Sequence, residues 1–317
     1  MTYKNKIRAL LLITGALVLL LAASYVFDPE RSASRNSLYT WLDRKFISEV
    51  DRIELGSPGV ADSEVTLLYR DGAWRALLAG ALFPAREERV EDLLALLSRR
   101  ASYPVRAASE ASRERLGVSG EAAHIRLYGG ANATPLLELL VGGTDALGSD
   151  VYLRKSNARE IRSGERSFSS YAGSRRQSWY DLRLLGGTPD QVQTVELRYP
   201  PGRDPVILAR DSGTWTVNNK AADAAAVDSY IRTLLNAEAD DFVPSLKPSD
   251  PFFNQGTISI ELADGTRRGL SLGPALDDGK RGLTVSGTPA GSPYVYALAE
   301  WTVGRLFRDS EGFLAAE

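Results

Sequence analysis

Histidine and cysteine, the side chains that most often do acid–base, nucleophilic or metal chemistry near neutral pH, are scarce in this sequence. It holds one histidine, His124, and no cysteine. That excludes a histidine metal cluster, a thiolate site, a disulfide and a cysteine nucleophile, and any Ser-His-Asp arrangement would have to pass through His124. His124 lies between Ala123 and Ile125 in a strand-like stretch. A catalytic base needs a placed partner, and the sequence names none, so His124 reads as a structural or surface histidine. The loop acids Asp145, Asp150, Asp277 and Asp278 lack the spacing of a calcium loop. The glycine pairs at 129–130 and 142–143 fit neither a P-loop nor a dinucleotide fingerprint and read as hairpin turns. Arg162, Arg166, Arg175 and Arg176 form a local basic run with Phe168, Tyr171 and Trp179 among them. They are the candidate partner surface, for an acidic protein face or anionic lipid; the alternative is an ordinary solvated arginine surface. No catalytic, cofactor-binding or metal residue is assigned, and the chain reads as a non-enzyme without a cofactor.

The elements that must position these residues begin with an apolar run. Residues 9–27 carry no charge, and as a helix they would reach about 28 Å, close to the ~30 Å hydrocarbon core of a bilayer. Lys4, Lys6 and Arg8 stand before the run and Asp28 and Glu30 just after it. The expectation is a transmembrane anchor at 9–27 with residues 1–8 cytoplasmic. The chain would be a single-pass inner-membrane protein, its bulk in the periplasm. A cleaved signal peptide and a buried core helix are the alternatives. A formal net charge of -2 argues against nucleic acid as a partner. With 44% hydrophobic and 25% charged residues, the remainder reads as globular and long enough for two domains.

Residues 28–45 read as a polar linker in which Ser37 caps a short helix through Leu38, Trp41 and Leu42. Strand patterns follow at 50–55 and 65–69, with a hairpin turn at Asp71-Gly72 and a return strand from Trp74. Val90, Leu93, Leu94 and Leu97 are spaced as one face of a helix over 86–100. A shorter helix at 109–116 ends on Gly117, and a β meander occupies 123–128, 136–141 and 151–154. Gly186-Gly187-Thr188-Pro189 reads as a domain boundary.

The second half echoes the first. VDRIEL at Val50 returns as VQTVEL at Val192, and the Asp71/Trp74 turn returns as Asp211/Trp215. The helix stripe returns as Val227, Tyr230, Ile231 and Leu234, with Asp223 placed as its N-cap, and HIRLYGG at His124 returns as TISIELADG at Thr257. Matches in the same order argue for duplication. The expected fold is α+β: a transmembrane helix, then two tandem repeats over 46–187 and 188–317. Each repeat is an antiparallel sheet with one packed amphipathic helix. Asp71, Trp74, Asp211 and Trp215 mark the repeat. Whether the repeats share one sheet stays open.

The order of strand, DG-x-W hairpin, helix, Leu116-Gly117-Val118, the VYLR strand at Val151 and SWYDLRLL from Ser178 resembles a bacterial family known as domain of unknown function 4340. The resemblance covers most of residues 50–185 and the second repeat more weakly. It implies a membrane-anchored extracytoplasmic protein that accompanies ABC-type transport or gliding-type assemblies. The function expected from it is a non-catalytic accessory or scaffold, with an ABC permease or its auxiliary subunits as partners. The alternative is a ligand-binding module for glycan or peptide, using the cleft between the repeats. A hydrolase would need a carboxylate pair or a triad at His124. The proline-rich stretch 243–253 replaces the first repeat's short helix and is a further place for partner contact.

Overall fold

The computed structural model describes residues 38–130, 132–287 and 293–315. By contact the chain divides into two compact units. Unit 1 holds the chain up to Tyr69 and Glu88–Arg175; unit 2 holds Arg70–Glu87 and the chain from Arg176 onward.

In chain order, the first repeat contains β1 (Leu38–Tyr39), β2 (Val50–Gly56), β3 (Val65–Arg70), β4 (Ala73–Leu78) and β5 (Ala81–Pro84), then helix α1 (Glu87–Ser98). There follow β6 (Ala101–Ser102), β7 (Val105–Ala107), α2 (Glu110–Arg115), β8 (Ala123–Gly129), β9 (Leu137–Thr144), β10 (Asp150–Lys155), β11 (Ile161–Glu165) and α3 (Ser167–Ala172). The second repeat contains β12 (Val192–Arg198), β13 (Val206–Asp211), β14 (Thr214–Val217), β15 (Lys220–Ala221) and α4 (Ala224–Leu235). It closes with β16 (Asp241–Phe242), β17 (Gly256–Leu262), β18 (Arg267–Ala275), β19 (Arg281–Ser286), β20 (Val295–Leu298) and α5 (Glu300–Leu306).

Within unit 1 the strands run in the order β3-β2-β8-β9-β10-β11-β7, every pair antiparallel, while β1 and β6 form a separate two-stranded sheet. Alternation explains which side is buried. Ile53 and Leu55, Ile125 and Leu127, and Leu139 and Val141 all point to one face and are at most 3% exposed. Val90, Leu93 and Leu97 of α1 are fully buried. The short helix α3 lies against β2, β8 and β9, with Phe168 fully buried. Each such side chain contributes about 1.5–3 kcal/mol relative to exposure.

Unit 2 carries a sheet in the order β15-β14-β13-β12-β17-β18-β19-β20-β16. Strand for strand, β13-β12-β17-β18-β19-β20-β16 repeats the unit 1 order, β14–β15 matches the hairpin β4–β5, and α4 matches α1 at the same length of 12 residues. The helix stripe Val227, Tyr230, Ile231 and Leu234 is buried as its spacing requires. Asp223 accepts hydrogen bonds from the backbone N–H groups of Ala225 (2.9 Å) and Ala226 (3.2 Å), the N-cap read from the sequence.

The hairpin β4–β5 belongs to the first repeat by sequence and to unit 2 by contact. Phe83 is 4% exposed, with its ring 4.6 Å from Phe242 and 5.1 Å from Tyr294. Phe242 also meets Tyr180 and Tyr296 at 5.6 and 5.1 Å. Beyond β5 the backbone continues pairing: the Arg86 N–H donates to the Trp179 carbonyl (2.8 Å) and the Asp181 N–H to the Pro84 carbonyl (3.0 Å).

Several expectations are corrected here. Among the described residues β-structure predominates, at 40% strand against 22% helix in three antiparallel sheets, rather than α+β with a transmembrane helix. Its longest described helices have 12 residues, about 18 Å at 1.5 Å per residue. Among the described residues no helix is long and apolar enough to cross a membrane. The anchor expected at 9–27 lies outside the described residues. The transmembrane, single-pass inner-membrane and periplasmic reading is therefore set aside. The short helix expected through Leu38, Trp41 and Leu42 is absent too. Leu38 and Tyr39 pair as strand β1 with Ser102 and Ala101, and Trp41 packs edge-on to Tyr103 at 5.3 Å. Burying two rings prevails over a single turn's helical spacing.

Candidate functional site

The side of the unit 1 sheet opposite the core carries the first candidate surface. Because β residues alternate, Arg52, Glu54 and Gly56 of β2 share that side with His124, Arg126 and Tyr128 of β8 and Glu138 of β9. Register places Glu54 opposite Arg126, Gly56 opposite His124 and Arg126 opposite Glu138. Arg126 Nε donates to Glu138 Oε1 at 2.7 Å, and the Tyr128 hydroxyl donates to Glu54 Oε2 at 2.9 Å. The Arg52 guanidinium lies 3.8 Å from the Tyr128 ring centre and 3.5 Å from Glu54. Cross-strand pairs of this kind hold the charged side chains in fixed register on one face of the sheet.

His124 sits at its end, half-buried. Burial first, then the positive charge of Arg126, hold its imidazole below the ordinary range. Burial works to raise the Glu138 carboxyl, but hydrogen bonds from Arg126 and Ser156 carry it below its usual value. A Cβ on Gly56 would come within 2.9 Å of His124 Cε1, so glycine is what lets the ring lie across β2. No carboxylate or hydroxyl among the described residues is hydrogen-bonded to the imidazole, so no triad is assembled there. Nor does any group of three or more His, Asp or Glu among the described residues have the placement to hold a metal ion.

The four arginines of the candidate partner surface are not one patch. Arg162 is 9% exposed. Its Nη1 donates to the Tyr103 carbonyl at 2.9 Å, it pairs with Glu160, and it lies 4.3 Å over the Tyr39 ring. Arg166 and Arg175 are exposed in unit 1. Arg176 belongs to unit 2, where it faces Asp241 at 3.5 Å.

Trp74 and Trp215 both occupy the second position of their strands and are buried, at 8% and 3%. Their turns differ from the sequence alignment by one residue. Asp71 and Gly72 have φ of 53° and 79°, and the matching pair is Ser212 and Gly213 at 48° and 88°; Asp211 ends strand β13. Two consecutive positive φ values define the tight hairpin turn, which leaves both aspartates structural. Two of the loop acids hold their own loops: Asp145 accepts from the Ser149 and Asp150 N–H groups, and Asp278 pairs with Lys280 at 2.8 Å.

Sequence reasoning missed Arg154. It is 6% exposed, and its guanidinium donates to the carbonyls of Val118, Lys155, Ser156 and Ala158 at 2.9–3.3 Å. The VYLR motif is thus a clamp on loop backbone. No local signal separates such an arginine from a surface one.

The described residues also form two open grooves. In unit 1 a groove of about 600 Å³ is lined by Asp43, Arg44, Phe46, Arg100 and Lys155 among others. In unit 2 a groove of about 560 Å³ lies between α4 and α5 and is lined by Arg232, Thr233, Asn236, Trp301, Thr302 and Arg305. The buried Tyr230 hydroxyl donates to the Leu306 carbonyl at 2.7 Å and ties the two helices together. Burial pushes that phenol's ionisation far up, so it stays protonated and keeps its proton for this bond.

These features define a duplicated antiparallel β-sheet protein whose repeats share a frame and differ in their outer faces. The chain belongs to the family described as domain of unknown function (DUF4340), whose family model matches residues 74–252. The match begins at Trp74 and crosses the glycine boundary into the second repeat. No curated protein and no solved structure matches the chain.

Proposed function

We propose that this chain is a non-catalytic scaffold that binds partner proteins through the outer faces of its sheets. One observation carries the reading. The strand order occurs twice, yet the outer faces have diverged. Of Arg52, Glu54, His124, Arg126, Tyr128 and Glu138, only Glu54 has a like counterpart, Glu196. Thr257 stands where the first repeat has His124, Ser259 for Arg126, and Glu261 for Tyr128. A shared frame with two different faces suits a protein that joins two different partners. Catalysis would instead concentrate convergent groups in one pocket. The partner class we propose is the one that the family resemblance implies: components of an ABC-type transport or gliding-type assembly.

The test is co-purification of the tagged full chain from cells that hold such an assembly. A transport component should be recovered, and Glu54→Lys with Arg126→Glu should lower its recovery several-fold while the fold persists. Recovery of the chain alone, or equal recovery with the altered face, contradicts the proposal.

A further inference from the structure

We propose that the groove between α4 and α5 of unit 2 binds an acidic saccharide, a sugar ring that carries a carboxylate. This is a small-ligand site, separate from the sheet faces of the scaffold reading. Trp301 is 64% exposed at the groove, and the Arg305 guanidinium lies 5.4 Å from its ring centre. A single exposed apolar residue is ordinary. What distinguishes this one is its company.

Arg232 and Arg305 line the same groove, and neither is ion-paired with a carboxylate among the described residues. Stacking on an indole leaves the N–H edge of Arg305 available for a planar bidentate acceptor. The two acids in the lining are already engaged. Glu238 pairs with Arg86 at 3.2 Å, and Asp240 accepts the Ala299 N–H at 2.7 Å. Both acids keep their negative charge, so what favours an anionic acceptor is the donor geometry: the two guanidinium donor sets are not taken up by a carboxylate among the described residues.

The remaining lining selects what carries that anion. Thr302 offers a hydroxyl, the Thr233 hydroxyl donates to the Ser229 carbonyl at 2.9 Å and so offers only an acceptor, and Asn236 offers both a donor and an acceptor. Donors and acceptors in one lining suit the ring hydroxyls of a sugar, each of which both gives and takes a hydrogen bond. The free indole surface suits the apolar C–H face of the same ring. A volume of about 560 Å³ holds two or three sugar units.

The experiment titrates the full chain with trigalacturonate and, separately, with neutral maltotriose, and follows binding by calorimetry and tryptophan fluorescence. Saturable binding of trigalacturonate is expected, with maltotriose at least about tenfold weaker. Trp301→Ala and Arg232→Ala should each weaken trigalacturonate about tenfold or more, and added salt should weaken it further. Trp301 is exposed and Arg232 unpaired, so both variants should keep the wild-type circular dichroism and melting temperature. No binding of trigalacturonate at about 10 mM overturns the proposal. So does equal binding of the neutral sugar, or binding that Trp301→Ala leaves unchanged. Capture of a protein partner through these residues, without saccharide binding, also counts against it. None of these results bears on the sheet faces, so the scaffold reading stands or falls separately.

Discussion

Replacing Phe83 with alanine should damage unit 2 even though Phe83 belongs to the first repeat. Its ring is 4% exposed and lies within about 5 Å of two others, Phe242 (4.6 Å) and Tyr294 (5.1 Å). Truncating a buried phenylalanine to alanine costs about 3–5 kcal/mol through lost transfer energy and the cavity left behind. Phe242 would keep Tyr180 and Tyr296 but lose the ring closest to it, so a value near 4 kcal/mol is expected. For a domain of 150–250 residues each kcal/mol moves the melting temperature about 2–4 °C, which gives a fall of about 8–16 °C. Leu82 is the control. It adjoins Phe83 on the same strand but is 39% exposed, and Leu82→Ala should cost no more than about 1 kcal/mol. Scanning calorimetry and urea unfolding of the full chain would read both. If Phe83→Ala costs no more than Leu82→Ala, the hairpin is not part of unit 2's core and the argument fails.

Three smaller predictions follow from the same structure. Asp223→Ala removes the cap on α4 and should cost about 1 kcal/mol in urea unfolding, whereas Asp223→Asn should cost less. Arg154→Met takes their shared donor from the loop carbonyls of Val118, Ser156 and Ala158 and should cost about 3 kcal/mol, with faster amide exchange in the segments Arg154 clamps. His124 titrates below its ordinary value in the folded chain, so the unfolded chain binds the proton more readily. Stability from this group is full above the unfolded pKa near 6.5 and declines as pH falls from there toward the lower folded value. His124→Gln should abolish that slope and leave only the loss at more acid pH, where Glu138, whose carboxyl is held low, takes up its proton.

The parts of the fold that were legible in the sequence are those fixed by local physics. The stripes Val90/Leu93/Leu97 and Val227/Tyr230/Ile231/Leu234 could be read because a helix buries one face at fixed spacing. The cap at Asp223 could be read because its donors lie two and three residues away. The duplication survives in the strand order because cores change slowly in kind. What was not legible depends on partners distant in the chain. Arg154 and Arg162 look like surface cations, and only their folded neighbours show that they serve backbone carbonyls. Ser212 rather than Asp211 makes the second hairpin turn, since a one-residue offset is invisible until φ values are seen. The hairpin's place in unit 2 rests on Phe83 meeting Phe242, which is 159 residues away in the chain. The groove at Trp301 has no sequence signature because Arg232 and Arg305 lie on different helices. The apolar run at 9–27 drew a membrane reading that no described helix supports.

The most direct test of the scaffold account is site-specific photocrosslinking in cells. A photoreactive phenylalanine analogue would be placed at His124 or at Glu138 on the outer face of the unit 1 sheet, and at fully buried Leu139 as a control. The account expects both outer-face positions to form a covalent adduct with one common protein partner, and the buried position to form none. Outer-face positions that yield no adduct while the folded chain is present at its normal level would contradict it.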